Sequence, residues 1–150
     1  MGHTFTNNLY HIVFSTKLRQ TFLRGEARER IIRYICGIMK NRGGMPLCVN
    51  AVEDHMHMLV KIHPDMAVAK FVGEVKGNAS KWISETFPEL KEFAWQSGYS
   101  CFTVSESVKE SVAAYIADQE AHHRKRSFAE ELALLLDKNG VVYDRAHYLD

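Results

Sequence analysis

Ten residues constrain this chain more than any others: Glu53-Asp54-His55-Met56-His57-Met58-Leu59-Val60-Lys61-Ile62. They alternate with the period of a β-strand. Met56, Met58, Val60 and Ile62 share one face, which is uniformly apolar and suited to a core. His55, His57, Leu59 and Lys61 share the other. Two imidazoles two residues apart stand side by side on one sheet surface, a spacing that allows them to share a metal ion. The same pattern also describes a strand whose open face simply carries two polar residues. The neighbouring elements have to separate the two.

Those neighbours alternate between strand and helix periods. Leu9–Thr16 reads as a strand, with Tyr10, Ile12 and Phe14 on one face and His11, Val13 and Ser15 on the other. Lys17 and Arg19 follow in a loop. Ala27, Ile31, Ile35, Ile38 and Met39 recur at helical spacing, predicting a helix over 26–42 that Gly43-Gly44 stops. Leu47–Val52 forms a second strand, joined by a Glu53-Asp54 turn to the histidine strand as a hairpin. The turn places the pair near a sheet edge, within reach of a ligand. His63 shares their face but lies six residues beyond His57, about 20 Å away, too far to join one metal.

A second helix is predicted over 66–86, with Val68, Phe71, Val72, Val75, Ala79, Trp82 and Ile83 buried. Gly73 and Gly77 each cost such a helix about 1 kcal/mol, so either another helix or a nucleic-acid strand approaches the backbone there. Trp95–Val104 reads as the last strand, with Gly98 a bulge. Ser107 and Glu110 fit a capping box opening a third helix that runs through Tyr115 and Gln119 into His122-His123-Arg124-Lys125-Arg126. Val108, Val112 and Ile116 mark its apolar stripe, and Tyr115 and Gln119 lie one turn apart. A fourth helix spans Phe128–Asn139, and the tail from Val141 reads as extended. The order β-α-β-β-α-β followed by two helices predicts an α+β, ferredoxin-like antiparallel sheet with helices on one face, the histidines on the other, and C-terminal helices carrying the tyrosine.

With 150 residues and no linker or repeat, one domain is expected over 1–150. No apolar run approaches a membrane span and no signal-peptide pattern opens the chain, so a cytoplasmic protein is expected. Cys36, Cys48 and Cys101 have no metal-type spacing and read as buried thiols. A formal charge of +1, from 19 basic and 18 acidic residues, confines any phosphate grip to local clusters. Lys17, Arg19, Lys70, Lys76, Lys81, Arg124, Lys125 and Arg126 are the candidates. Chemically, a divalent ion on the imidazole pair would stabilise charge at a phosphoryl oxygen under attack by a tyrosine, a poor nucleophile without such help. The resulting phosphotyrosine conserves the energy of the broken bond, as strand transfer requires.

The segments YHIVFSTKLR, DHMHMLV, FVGEVKGNASKWI, WQSGYSCFTVS and YIADQEAHHRKRSF together resemble the HUH-type, single-tyrosine transposases of small bacterial insertion sequences, and their relatives associated with repetitive extragenic palindromes. DHMHMLV matches the His-hydrophobic-His motif, and YIADQ the tyrosine helix. The resemblance implies that Tyr115 is the nucleophile and that His55, His57 and Gln119 hold Mg²⁺ or Mn²⁺. It further implies a homodimer joined edge to edge that acts on single-stranded DNA hairpins, with no small-molecule cofactor. Ligand chemistry alone favours Zn²⁺ or another transition ion. The alternatives are a domesticated, non-catalytic hairpin binder, a nicking replication initiator or relaxase, and a small-molecule regulatory dimer that would leave the paired histidines unexplained. Phe128 onward lies outside the resemblance.

Overall fold

The structure, a computed structural model, describes residues 2–150. Four strands, β1 (Leu9–Ser15), β2 (Gly44–Ala51), β3 (His55–Ile62) and β4 (Ser100–Thr103), form one antiparallel sheet in the order β2-β3-β1-β4. Helices α1 (Gly25–Asn41) and α2 (Val68–Thr86) connect them, and α3 (Lys109–Ala117), α4 (Gln119–Lys125) and α5 (Phe128–Lys138) follow. This is the α+β, β-α-β-β-α-β arrangement expected from the order of periods.

Alternation along β1 and β3 divides the molecule into two cores. Ile12, Phe14, Met56, Met58 and Val60 face α1 and α2, where Ile31, Ile35, Met39, Phe71, Val75 and Ile83 close the larger core. On the reverse face, β1 sets Ser15 opposite His55, Val13 opposite His57, and His11 opposite Leu59. This face is covered by the C-terminal helices. Ile116 packs on Leu9 and Leu59, while Phe128, Leu132 and Leu136 pack on Val13 and Phe102. β3 is therefore an inner strand, and the histidines start it beneath helices and not at a ligand-accessible edge.

One turn shows why a glycine is required. Gly43 ends α1 at φ +83°. Beside it, a Cβ on Gly44 would stand 2.8 Å from the Phe71 ring and 3.0 Å from the Met39 carbonyl. Only hydrogen fits where β2 crosses the start of α2.

The structure corrects several boundaries. The third helix is not continuous: a 3-10 turn at Glu106–Val108 precedes α3, and Asp118 (φ −99°, ψ 30°) breaks α3 from α4. Ser107 sits inside that turn, caps nothing, and leaves Val108 exposed. The capping box forms at Ser127 and Glu130, at the start of α5. β4 is only four residues long. Trp95 makes an isolated bridge to Thr16 and packs edge-on against Phe14, so Gly98 lies in a loop and makes no bulge. The tail is folded and not extended: Tyr143, Tyr148 and Leu149 pack on the α5 cluster, and Tyr148 Oη donates to the Ala129 carbonyl. All three cysteines are free and half-buried.

Candidate metal centre and tyrosine

His55 and His57 project from alternate positions of β3 with ring centroids 5.2 Å apart, both almost wholly buried. Their Nε2 atoms converge on one oxygen. Glu131 Oε1 lies 3.1 Å from His55 and 2.9 Å from His57. The other oxygen of the same carboxylate accepts the Tyr115 hydroxyl at 2.5 Å. Gln119 Oε1 lies 3.2 Å from His55 Nε2, and its side chain is sealed from solvent. His55, His57 and Glu131 thus present three ligand atoms within 4.8 Å of one another.

Each group is positioned by a different element. Asp54, in the hairpin turn, binds His55 Nδ1 at 2.7 Å, and the Phe128 ring lies 4.5 Å from the His55 ring. On β1, His11 Nε2 meets His57 Nδ1 at 2.8 Å. β2 anchors the tyrosine helix: the Asn50 amide donates to the carbonyls of Ile116 and Ala117 at 3.0 and 3.2 Å. These carbonyls end α3, where helix geometry leaves them without partners. Across the break at Asp118, Tyr115 and Gln119 still reach the same cluster, through Glu131 and His55 respectively. His122 stacks on Tyr115 with centroids 4.4 Å apart.

The electrostatics distinguish the two imidazoles. Burial alone would lower the His55 pKa, but hydrogen bonds to Asp54 and Glu131 prevail and raise it to about 9. His57 is lowered, first by burial, so it is neutral. His11 is lowered to about 3 by burial and by the neighbouring His57, and it too is neutral. Burial pushes Glu131 up, yet its bonds to both histidines hold it well below the usual carboxylate range. Tyr115 is pushed up by burial and by Glu131. Below about 9, His55 is an imidazolium, with its Nδ1–H on Asp54 and its Nε2–H on Glu131.

Glu131 and His11 are the two members that sequence reasoning missed. Glu131 had a signal. It is a carboxylate within the buried stripe of α5, between Phe128 and Leu132, where an unpaired charge is not tolerated. His11 had a weaker one, since parity puts it on the histidine face once β1 pairs with β3. The basic candidates do not gather at the centre. Lys70, Lys76 and Lys81 belong to α2 on the opposite side of the sheet. Arg124, Lys125 and Arg126 are exposed at the end of α4 and beyond, and Lys17 is exposed in a 3-10 turn with Arg19.

Residues 4–119 match the family described as "Transposase IS200 like". The chain belongs to the IS200-like transposase family. This transposase-family chain is 34% identical over 125 residues to the transposase of insertion sequence IS200 from Salmonella typhimurium, covering 79% of the chain and 81% of the relative. It is 28% identical over 115 residues to the ISDra2 transposase TnpA of Deinococcus radiodurans, covering 73% and 82%. Its fold is similar to a crystal structure of a candidate transposase from Deinococcus radiodurans, with TM-score 0.65 and 25% identity over 79% of this chain and 96% of that one. It is also similar to a REP-associated tyrosine transposase bound to a REP hairpin, with TM-score 0.61 and 14% identity over 82% and 72%. The family match ends at residue 119, so α5 and Glu131 lie beyond it.

Proposed function

We propose that this transposase cleaves and rejoins single-stranded DNA through a 5′-phosphotyrosine on Tyr115, with a divalent ion held by His55, His57, Glu131 and Gln119. The observation that carries this reading is the convergence of the phenol and both imidazoles on one carboxylate. Two imidazole nitrogens, a carboxylate and an amide oxygen suit Mn²⁺, and Mg²⁺ less well because it favours oxygen. Bound there, such an ion supplies the charge that polarises a phosphoryl oxygen. The chain's own groups do the rest. Tyr115 gives its proton to the Glu131 oxygen that accepts its hydrogen bond as its own oxygen bonds to phosphorus, and that proton is then available to the leaving oxygen. The 3′ oxygen departs and takes a proton, and a second 3′-hydroxyl later reverses the step. His11 and Asp54 fix the two ring orientations.

The substrate in this proposal is a DNA hairpin with a single-stranded flank, the ligand class of the REP-hairpin-bound neighbour. A cytoplasmic homodimer belongs to the same reading. β2 ends the strand order, so its outer backbone groups are placed to pair with a second copy.

The test is a labelled hairpin incubated with the protein and Mn²⁺. The wild type forms a denaturant-stable adduct. Tyr115→Phe and His57→Ala each reduce it to below about one-thousandth. An undiminished adduct in Tyr115→Phe removes Tyr115 as nucleophile. A second reading, a hairpin binder that does not cleave, is favoured by how thoroughly His55, His57 and Gln119 are covered. It predicts hairpin binding with no adduct in the wild type.

A further inference from the structure

His55 has two ring nitrogens, and the centre described above uses one of them. Its Nε2 meets Glu131 and Gln119, while its Nδ1 lies 2.7 Å from Asp54 Oδ1. His123, on α4, joins that second edge of the ring. Asp54, His55 and His123 each offer one ligand atom, and these atoms all lie within 4.8 Å of one another. We infer that the three residues form a second metal site, outside the His57–Glu131 set, that takes a transition ion of the zinc class. The inference goes beyond the phosphotyrosine reading and does not depend on it.

The donor set comes first. Two imidazoles and a carboxylate suit Zn²⁺, which accepts three protein ligands and keeps a fourth, tetrahedral position for water. The His55 and His123 ring centroids are 5.9 Å apart. Two imidazoles on one tetrahedral ion, with Zn–N near 2.0 Å, stand roughly 5 Å apart, so a small turn of His123 closes the set.

Unspent bonding capacity points the same way. His123 Nδ1 is buried and has no hydrogen-bond partner. A ring nitrogen cut off from water and left unpaired costs stability, and a ligand restores it. Access is open as well. A groove of about 210 Å³ reaches His123 from the surface, between Glu53 and Glu120 on one count and Arg28 and Arg124 on the other. Two carboxylates and two guanidiniums leave that rim without net charge, so Asp54 supplies the charge that holds the cation. The inner set differs in this respect, because His57 and Gln119 are sealed from solvent. On binding, the ion takes the place of the His55 Nδ1 proton, which leaves to water. The Nε2 nitrogen keeps its proton and its bond to Glu131.

The experiment uses the whole chain carrying His57→Ala, which weakens the inner set and leaves the outer one intact. Titration calorimetry with ZnCl₂ is expected to give one ion per chain. Nitrogen NMR of the imidazoles is expected to show His55 with the metal on Nδ1 and the proton on Nε2. Adding His123→Ala weakens Zn²⁺ binding by at least about tenfold, the least that losing even an outer-shell partner costs. The metal-free melting temperature does not change with it, because His123 Nδ1 bonds nothing in the fold. Adding Asp54→Asn, which keeps the side chain's shape, gives the same loss of Zn²⁺ independently. Zn²⁺ affinity unchanged by His123→Ala, a metal found on Nε2, or no Zn²⁺ uptake by His57→Ala overturns the inference. None of these outcomes bears on the adduct assay, which reads Tyr115 in the wild type.

Discussion

The Glu131 carboxylate holds three groups at once, the two imidazoles of β3 and the phenol of α3. With no ion present, Asp54 and Glu131 together keep a proton on His55, whose pKa is raised to about 9. That proton favours the fold. Its stabilisation is complete below the unfolded value near 6.5 and is lost as pH rises to about 9. The same proton opposes metal. An ion on His55 Nε2 must displace it, so Mn²⁺ affinity rises roughly tenfold per pH unit between about 6.5 and 9 and then levels off. Isothermal titration across that range checks this, and a flat profile would remove His55 from the ligand set. His57, neutral beside a neutral His11, adds no pH dependence there.

Among the elements, α2 and β2 show how differently two glycines act. Gly73 faces open space within a helix, so Gly73→Ala stabilises the fold by about 1 kcal/mol. Gly44 has the Phe71 ring and the Met39 carbonyl where a methyl would go, so Gly44→Ala costs about 1–3 kcal/mol. Urea denaturation of the two variants gives shifts of opposite sign. The tyrosine helix is held at two points: Ile116 enters a small core with Leu9 and Leu59, and Asn50 closes its last carbonyls. α5 starts from a complete capping box, which fixes the first turn and therefore Glu131 one turn later.

At the scale of the molecule, the centre is a tie between elements distant in the chain. β3 supplies the imidazoles, α4 the amide and α5 the carboxylate. An ion that binds only this assembled set stabilises the whole fold by linkage, about 2.7 kcal/mol at one hundred times its dissociation constant. For a chain of this length that is a rise of roughly 5–10 °C in melting temperature. The expected outcome in calorimetry is this rise with Mn²⁺ in the wild type and its loss in His57→Ala.

Local pattern was enough for the sheet and its partners. Strict alternation in β1 and β3 fixes which side chains share a face, because a strand's period is two wherever it is placed. The stripes of α1 and α2 follow from a period of 3.6 in the same way. That Tyr115 and Gln119 lie one turn apart follows from the same period, while the roles proposed for them rest on the resemblance of YIADQ to the family's tyrosine helix. Three things were not. The break at Asp118 and the idle Ser107 depend on how α3 docks beneath Asn50. The interior position of β3 depends on strand order, which a hairpin alone leaves open. And Glu131 becomes a partner of His55 and His57, more than seventy residues earlier in the chain, only when α5 folds across the sheet. Periodicity assigns a residue to a face of its own element. Which distant face it meets is decided by packing, and in this chain packing built the centre.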